Sequence, residues 1–243
     1  MYSFFITKWS KSNTAWHKTD VHPALLKYFS LILEKFPEKQ IRVLVPLCGK
    51  TKDLTFLANH PAVAEVVGVE GVQKAYDEFI AENRHLNISL SQDENSSYPH
   101  FTKFVGNKIT LLKGDFFDLE KTFENESVPK FDLIWDRASI VAIRPELRNQ
   151  YAQVISKLLQ PKALMLFGTV DRREGTEDAM KAGPPFSVTY ENLNTLYESL
   201  DIVESCKKLE EHDEIKEDPE GHARYVEMGL TSFFEVVTLI ETK

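Results

Sequence analysis

Short apolar runs alternate along the chain with stretches whose apolar residues recur at helical spacing. "IRVLVPL" (41–47) has the length and composition of a buried strand, and "TKDLTFLANH" after it carries apolar residues at 54, 56, 57 and 58, a short helix. "AEVVGVE" (64–70) is the next strand, and "GVQKAYDEFIAEN" places 72, 75, 76, 79 and 80 on one helical face. "KITLLKGDFF" (108–117) and "FDLIWDR" (131–137) read as two more strands. "PELRNQYAQVISKLL" (145–159) opens with proline at a helix entry, a favoured place for it. "ALMLFGTV" (163–170) is a fifth strand, "TYENLNTLYESL" a helix with Thr189 as cap, and "SFFEVVTLIET" (232–242) a last strand. The polar segment 82–107 reads as a long loop or insertion, and a second polar stretch lies at 210–225. Such alternation predicts an α/β fold with a doubly wound, mostly parallel sheet. The last strand has no helix after it and is expected to insert antiparallel at an edge.

In such sheets ligands sit beyond the carboxyl ends of the strands, so the residues ending each strand carry the chemistry. The first strand ends in Pro46-Leu47-Cys48-Gly49, the second in Glu70, the third in Gly114-Asp115-Phe116 and the fourth in Asp136-Arg137. The opening loop has one glycine and a proline that removes a backbone donor, which suits one close backbone approach and no pyrophosphate cradle. Glu70 lies 21 residues beyond Gly49, where an acid accepts hydrogen bonds from both hydroxyls of a ribose. The alternative is an acid stabilised by the following helix dipole. Asp115 can accept from an exocyclic amine while the Phe116 N–H donates to a ring nitrogen and its ring covers the base. The alternative there is a pair of core phenylalanines flanked by turn acids. A nucleoside read through ribose and adenine, without a phosphate cradle, points to S-adenosylmethionine.

The totals narrow the classes. A chain of 243 residues with 42% hydrophobic and 27% charged residues suits a globular fold with a substantial core. A net charge of −8 argues against a general nucleic-acid binder. Two distant cysteines, Cys48 and Cys206, form no disulfide framework and no metal cluster. No apolar stretch approaches a membrane span, and the apolar run near the start is too short for a signal-peptide core. The expectation is a cytoplasmic monomer. His17 and His22 stand at a spacing that could hold a metal but have no recognisable third ligand, so no metal is expected.

These motifs resemble those of the thiopurine S-methyltransferase family, class I methyltransferases that use S-adenosylmethionine. "VPLCGKTKDLTFLA" resembles the family's cofactor loop, "VVGVEGVQKAYDEF" its ribose-binding strand and helix, and "GDFFDL" its adenine segment. "FDLIWDRASIVAI" is similar to its fourth strand, "GPPFSV" (183–188) to a loop after the fifth, and "FITKWSKSNTAWH" to its N-terminal lid. The resemblance covers most of the chain. It implies a Rossmann-like, seven-stranded sheet with an N-terminal helical lid over residues 1–30, in a single domain 1–243 with 82–107 and 171–183 as loops or insertions.

Carried over by motif, it implies cofactor contacts from Trp9, Leu47, Glu70, Phe116 and Arg137; Gly49, from the loop's close backbone approach, and Asp115, from its position alone, are added to them. On the substrate side it implies Trp16 with its neighbour His17, Pro184 of "GPPF", and Arg224, five residues before Gly229. Two departures stand out: "DRREGTEDAMKA" is longer and more charged than the family's pattern, and Trp16 replaces a phenylalanine.

The reaction implied is methyl transfer from S-adenosylmethionine to sulfur of a small-molecule thiol, a thiopurine or other aromatic thiol, with selenium compounds as further acceptors. Alignment and exclusion of water carry most of such a reaction. Arg137 and Arg224 are the candidate catalytic cations, each favouring an ionised nucleophile. The alternative for Arg137 is an ion pair with Asp136 or a nearby carboxylate. Cys48 has no paired base and reads as a buried loop residue. Competing readings are a halide or thiocyanate methyltransferase and a non-catalytic S-adenosylmethionine binder. A NAD-dependent oxidoreductase ranks last, for want of a phosphate loop.

Overall fold

The computed structural model describes residues 2–14, 16–92, 98–122 and 130–243. The chain divides into two compact units, Met1–Trp135 with Lys157–Gln160, and Asp136–Ser156 with Pro161–Lys243. The first unit contains α1 (Tyr2–Ser10), α2 (Pro23–Leu33), β1 (Ile41–Val45), α3 (Asp53–Asn59), β2 (Val63–Glu70) and α4 (Gln73–Glu82). It continues through β3 (Ser89–Leu90), β4 (Thr102–Gly106), β5 (Ile109–Lys113), α5 (Leu119–Thr122) and the start of β6 (Phe131–Arg137).

Its strands lie in the order β3-β4-β5-β2-β1-β6. The pairs β5–β2, β2–β1 and β1–β6 are parallel. Val43, Leu44, Val45, Val66, Val67 and Val69 are all buried. A parallel strand is covered on both faces, which is why these segments read as continuous apolar runs rather than alternating ones. The segment 82–107, expected as a loop, supplies β3 and β4, which extend the sheet antiparallel beyond β5. Asp93–Ser97 of that segment lie outside the described residues. The strand expected over 108–117 stops at Lys113. Beyond it the Asp115 carboxylate accepts the Phe117 N–H at 3.0 Å and starts a 3-10 turn, Phe116–Asp118.

A buried carboxylate joins three elements of this unit. Asp53, the first residue of α3, accepts the backbone N–H of His22 at 2.9 Å and the indole N–H of Trp135 at 2.8 Å. His22 itself caps α2, its Nδ1 accepting the Ala24 N–H at 3.3 Å. The histidine flagged by spacing as a metal candidate thus serves as a helix cap.

The second unit contains most of α6 (Arg148–Leu158) and of β7 (Leu159–Gly175), then α7 (Glu177–Lys181), α8 (Tyr190–Glu198) and β8 (Val203–Asp213). It closes with α9 (Glu214–Glu217), α10 (Ala223–Glu227) and β9 (Leu230–Thr242). β9 pairs antiparallel with β7 on one side and β8 on the other. The final strand is antiparallel as expected but does not lie at the edge; β8 does. β8 escaped the hydrophobic pattern because its residues are largely half-buried or exposed, as an outer strand's are. β7 runs 17 residues, so 171–175 of the expected insertion continue the strand. Most of the remainder forms α7, whose cap Thr176 accepts the Ala179 N–H. Thr189 caps α8 with a full capping box, as the sequence predicts. The described residues hold nine strands where the family resemblance implies seven. None of their helices is long and apolar enough to cross a membrane.

Candidate active site

In the first unit the chain leaves β1 at Pro46 and turns through two left-handed residues, Leu47 at φ 44° and Gly49 at φ 54°. That conformation costs a non-glycine residue about 1 kcal/mol, so Leu47 is held there by its surroundings. The Cys48 N–H donates to the Val69 carbonyl at 3.0 Å, and the Gly49 N–H donates to Glu70 Oε2 at 3.1 Å. Glu70 Oε1 accepts from Gly71 at 2.8 Å and from Val72 at 2.9 Å. One carboxylate therefore clasps the β1–α3 loop to the β2–α4 turn. The Gly114 N–H donates to the Glu70 carbonyl at 3.1 Å, which brings the end of β5 beside the end of β2.

Burial raises the Glu70 pKa, and the three backbone N–H groups act in the opposite direction. Burial, followed by the charge of Glu70, pushes the Cys48 thiol well up, which disarms it as a nucleophile. The aromatic side of the loop is Trp9, only 3% exposed. A Cβ on Gly49 would stand 3.4 Å from its Cζ2. Trp9 packs with Val72 and Ala75, with Phe5 and Trp16 against the same cluster. Trp16 meets Phe5 edge-on at 5.6 Å. The Asp115 carboxylate is engaged as a turn cap, and Phe116 is buried, edge-on to Phe117.

These residues fit an adenosine-containing sulfonium cofactor. A carboxylate offers about four acceptor directions, and three of Glu70's are met by backbone, with Oε2 holding a single donor. The loop N–H groups at 48 and 49 are satisfied internally, so they form no outward cradle for a pyrophosphate.

Arg137, Pro184 and Arg224 belong to the second unit, as the other nominated residues, Trp9, Trp16, His17, Leu47, Gly49, Glu70, Asp115 and Phe116, belong to the first. Arg137 lies along Gly168, where an added Cβ would stand 3.3 Å from its Cγ and 3.7 Å from a Glu235 carboxylate oxygen. Its neighbour Asp136 is fully buried and accepts from Ser139 N at 3.2 Å, Ile140 N at 3.0 Å and Tyr151 OH at 2.6 Å. Asp136 thus anchors the loop after β6. That loop's Val141 carbonyl accepts the Phe186 N–H at 2.7 Å, holding the Gly183–Phe186 turn that contains Pro184. Arg224 is exposed; its Nη2 donates to the Tyr225 hydroxyl at 2.5 Å, with the guanidinium 4.4 Å from the ring centre.

Arg172 was missed by sequence reasoning. It is 3% exposed, its Nη1 donating to the Ala179 carbonyl at 2.8 Å and its Nε to the Pro185 carbonyl at 3.2 Å. In the run Asp-Arg-Arg-Glu nothing separates the buried arginine from Arg173, which pairs outward with Asp171 and Glu211. The only available signal was alternation along a strand read as ending at 170.

Asp136 sets a pH dependence. Burial raises its pKa from 3.8 to about 6, against the Tyr151 hydroxyl and the loop N–H groups. A raised carboxyl favours the fold while protonated; that contribution is full below pH 3.8 and is lost as pH rises through about 6. Relative to Asp136→Asn, which cannot ionise, the native chain is expected to lose about 3 kcal/mol between about pH 4 and pH 7. Urea unfolding of both chains across that range checks this; a constant difference refutes it.

The sequence model of the thiopurine S-methyltransferase family matches residues 2–243. The chain is 35% identical over 239 residues to a thiopurine S-methyltransferase of Vibrio cholerae serotype O1, covering 98% of this chain and 96% of the relative. It is 32% identical over 238 residues to the one from Pseudomonas aeruginosa, covering 98% and 97%. Among solved structures, the 1,6-didemethyltoxoflavin-N1-methyltransferase of Burkholderia thailandensis, with bound S-adenosylhomocysteine, matches with a TM-score of 0.57. That match has 13% identity and covers 99% of this chain and 87% of the other. The arsenic(III) S-adenosylmethionine methyltransferase of Chlamydomonas reinhardtii matches at 0.56 and 17% identity, over 83% and 64%. Such distant likenesses establish the class I methyltransferase fold. With the Glu70–Gly49 clasp and full-length homology together, the chain belongs to the thiopurine S-methyltransferase family and is an S-adenosylmethionine-dependent methyltransferase.

Proposed function

We propose that the enzyme methylates the sulfur of a small aromatic acceptor, a thiopurine or another arene thiol, with selenium analogues as further acceptors. The observation that carries the cofactor half is the Glu70 carboxylate clasped to the Gly49 N–H beside Trp9. The names of the relatives support sulfur. S-adenosylmethionine supplies, when bound, a methyl group activated on a sulfonium. Trp9, Leu47, Gly49, Glu70, Asp115, Phe116 and Arg137 are the residues we assign to holding it.

The remaining work falls to the chain's own side chains. An aromatic thiol is acidic enough to need no strong base, and a nearby cation favours its ionised form. Arg224, exposed and in no ion pair among the described residues, is the strongest candidate for that cation. Arg137 is the second. Trp9 and Trp16, in the segment 1–30 that we read as a lid, present apolar surface that excludes water. Trp16, His17 and Pro184 are assigned to the acceptor side.

The test is a labelled-methyl assay over thiopurines, aromatic and aliphatic thiols, selenols and iodide. Aromatic thiols are expected to turn over fastest. Faster turnover of iodide would replace the acceptor with a halide, and binding of S-adenosylmethionine with no turnover on any acceptor would leave only a cofactor binder.

A further inference from the structure

In the first unit Lys74, Glu78 and Glu82 stand four residues apart on α4. That spacing sets them in one row on the helix surface, where Glu78 and Glu82 repel each other. The buried residues Ala75, Tyr76 and Phe79 take another face. The repulsion is answered from outside the helix. Lys50 reaches over from the β1–α3 loop, where it follows Gly49. Its Nζ stands 2.9 Å from Glu78 Oε2 and donates to Glu82 Oε1 at 2.5 Å. Burial acts to lower the Lys50 pKa, yet the bonds to Glu82 and Glu78 leave it raised. The Lys50 ammonium in turn holds Glu78 below its ordinary value.

Exposed ion pairs contribute little. Lys50 differs because its side chain is only 15% exposed, against 38% for Lys74, and because it joins a loop to a helix rather than two turns of one helix. The loop is thus held from two sides: Glu70 takes the Gly49 N–H at 3.1 Å, and Lys50 ties the next residue to α4. The same helix seats the N-terminal segment. Trp9 packs on Val72 and Ala75, and Lys74 Nζ donates to Ser12 Oγ at 3.1 Å in the turn after α1. A Cβ on Gly49 would stand 3.4 Å from Trp9 Cζ2, so a methyl group would fill the gap between loop and lid.

We propose that Lys50 is a positioning residue for methyl transfer: by tying the loop to Glu78 and Glu82 it holds Leu47 and Gly49 in place for the cofactor, against Trp9. This rests on the assignment of the loop to S-adenosylmethionine and adds to it a residue that acts through the loop. Cofactor affinity then depends on an ion pair at the back of the site. Glu78 extends the tie, its Oε1 lying 3.5 Å from Lys74 Nζ, which reaches Ser12. That outer link is more exposed and contributes less.

The experiment titrates S-adenosylhomocysteine calorimetrically into the full native chain, Lys50→Met, Lys50→Arg and Glu70→Ala. Lys50→Met is expected to raise the Kd by about five- to ten-fold, between the worth of an exposed and of a buried pair. Lys50→Arg keeps the charge and is expected to restore most of the affinity. The KM for S-adenosylmethionine rises with the Kd, while kcat at saturating cofactor changes by less than about two-fold, because the reacting groups are untouched. Raising sodium chloride from about 0.05 M to about 0.5 M weakens binding to the native chain more than to Lys50→Met, since salt screens the pair. A cofactor-free readout uses Trp16→Phe, which leaves Trp9 and the fully buried Trp135 as emitters. Acrylamide quenching of their fluorescence is expected to rise when Lys50→Met is added.

If Lys50→Met does not fold, Glu78→Gln combined with Glu82→Gln takes its place; both acids are partly exposed, and their joint loss is expected to raise the Kd by the same factor. Where all three changes are combined, no further rise is expected, because they remove one interaction. A native Kd in Lys50→Met beside a weakened Glu70→Ala overturns the proposal and leaves the loop's assignment standing, whatever happens to stability in urea. A native Kd in both removes that assignment, and the proposal with it. Equal losses in Lys50→Met and Lys50→Arg overturn it as well, since the charge would then carry nothing.

Discussion

Glu70→Ala is expected to weaken S-adenosylhomocysteine binding by about 10- to 100-fold. The Glu70 carboxylate holds three backbone N–H groups, from Gly49, Gly71 and Val72, and is assigned the ribose hydroxyls as well. Hydrogen bonds to a charged group are worth about 1.5–3 kcal/mol each. One acceptor direction remains on Oε2, so loss of the ribose bond made there gives about one to two orders of magnitude in affinity. The substitution also frees the loop, because the Gly49 N–H then has no acceptor and the left-handed turn at Leu47 and Gly49 loses its tie to β2.

Glu70→Gln separates the two contributions. One amide oxygen can still accept from Gly71 and Val72, while its NH2 group faces the Gly49 N–H, donor against donor. The Gln variant is expected to lose about 1–3 kcal/mol at the unpaired Gly49 N–H, less than Glu70→Ala, and to bind the nucleoside weakly. Calorimetric titration of S-adenosylhomocysteine, with urea unfolding of both variants, makes the comparison. Native affinity in Glu70→Ala would show the acid to be a turn clasp with no ligand role.

Asp53→Ala is expected to destabilise the fold by about 3–5 kcal/mol, the sum for two buried donors left unpaired at about 1–3 kcal/mol each with the lost bonds. Its carboxylate, 2% exposed, satisfies the His22 N–H and the indole N–H of fully buried Trp135. Asp53→Asn keeps one acceptor and is expected to lose about half as much. Denaturant unfolding of both variants measures this. A loss below about 1 kcal/mol for Asp53→Ala would mean that water enters and takes the carboxylate's place.

The parallel half of the fold was legible because each of its strands is buried on both faces and each intervening helix on one. Val43–Val45 and Val66–Val69 read as continuous apolar runs for that reason. Thr189 was legible as a cap because its chemistry is local: a hydroxyl meets an N–H three residues on. β4 and β8 were not legible, since strands with one face or an edge in solvent keep polar residues whose place depends on a partner distant in sequence. The strand end at Lys113 was overrun because Asp115 stops it through a side-chain bond that hydrophobicity does not register.

What the sequence determined by itself was the alternation of elements, the carboxylate 21 residues beyond the loop glycine, and the family. Those follow from hydrophobic period and from motifs whose chemistry lies within a few residues. Only the tertiary structure decided how the charges are used. Glu70 closes onto Gly49, Asp53 is shared between His22 and Trp135, and Arg172 turns inward while Arg173 turns out to Glu211. A charged residue looks the same in sequence whether water or protein answers it. The fold alone sets its burial and its partners, and with them its energy.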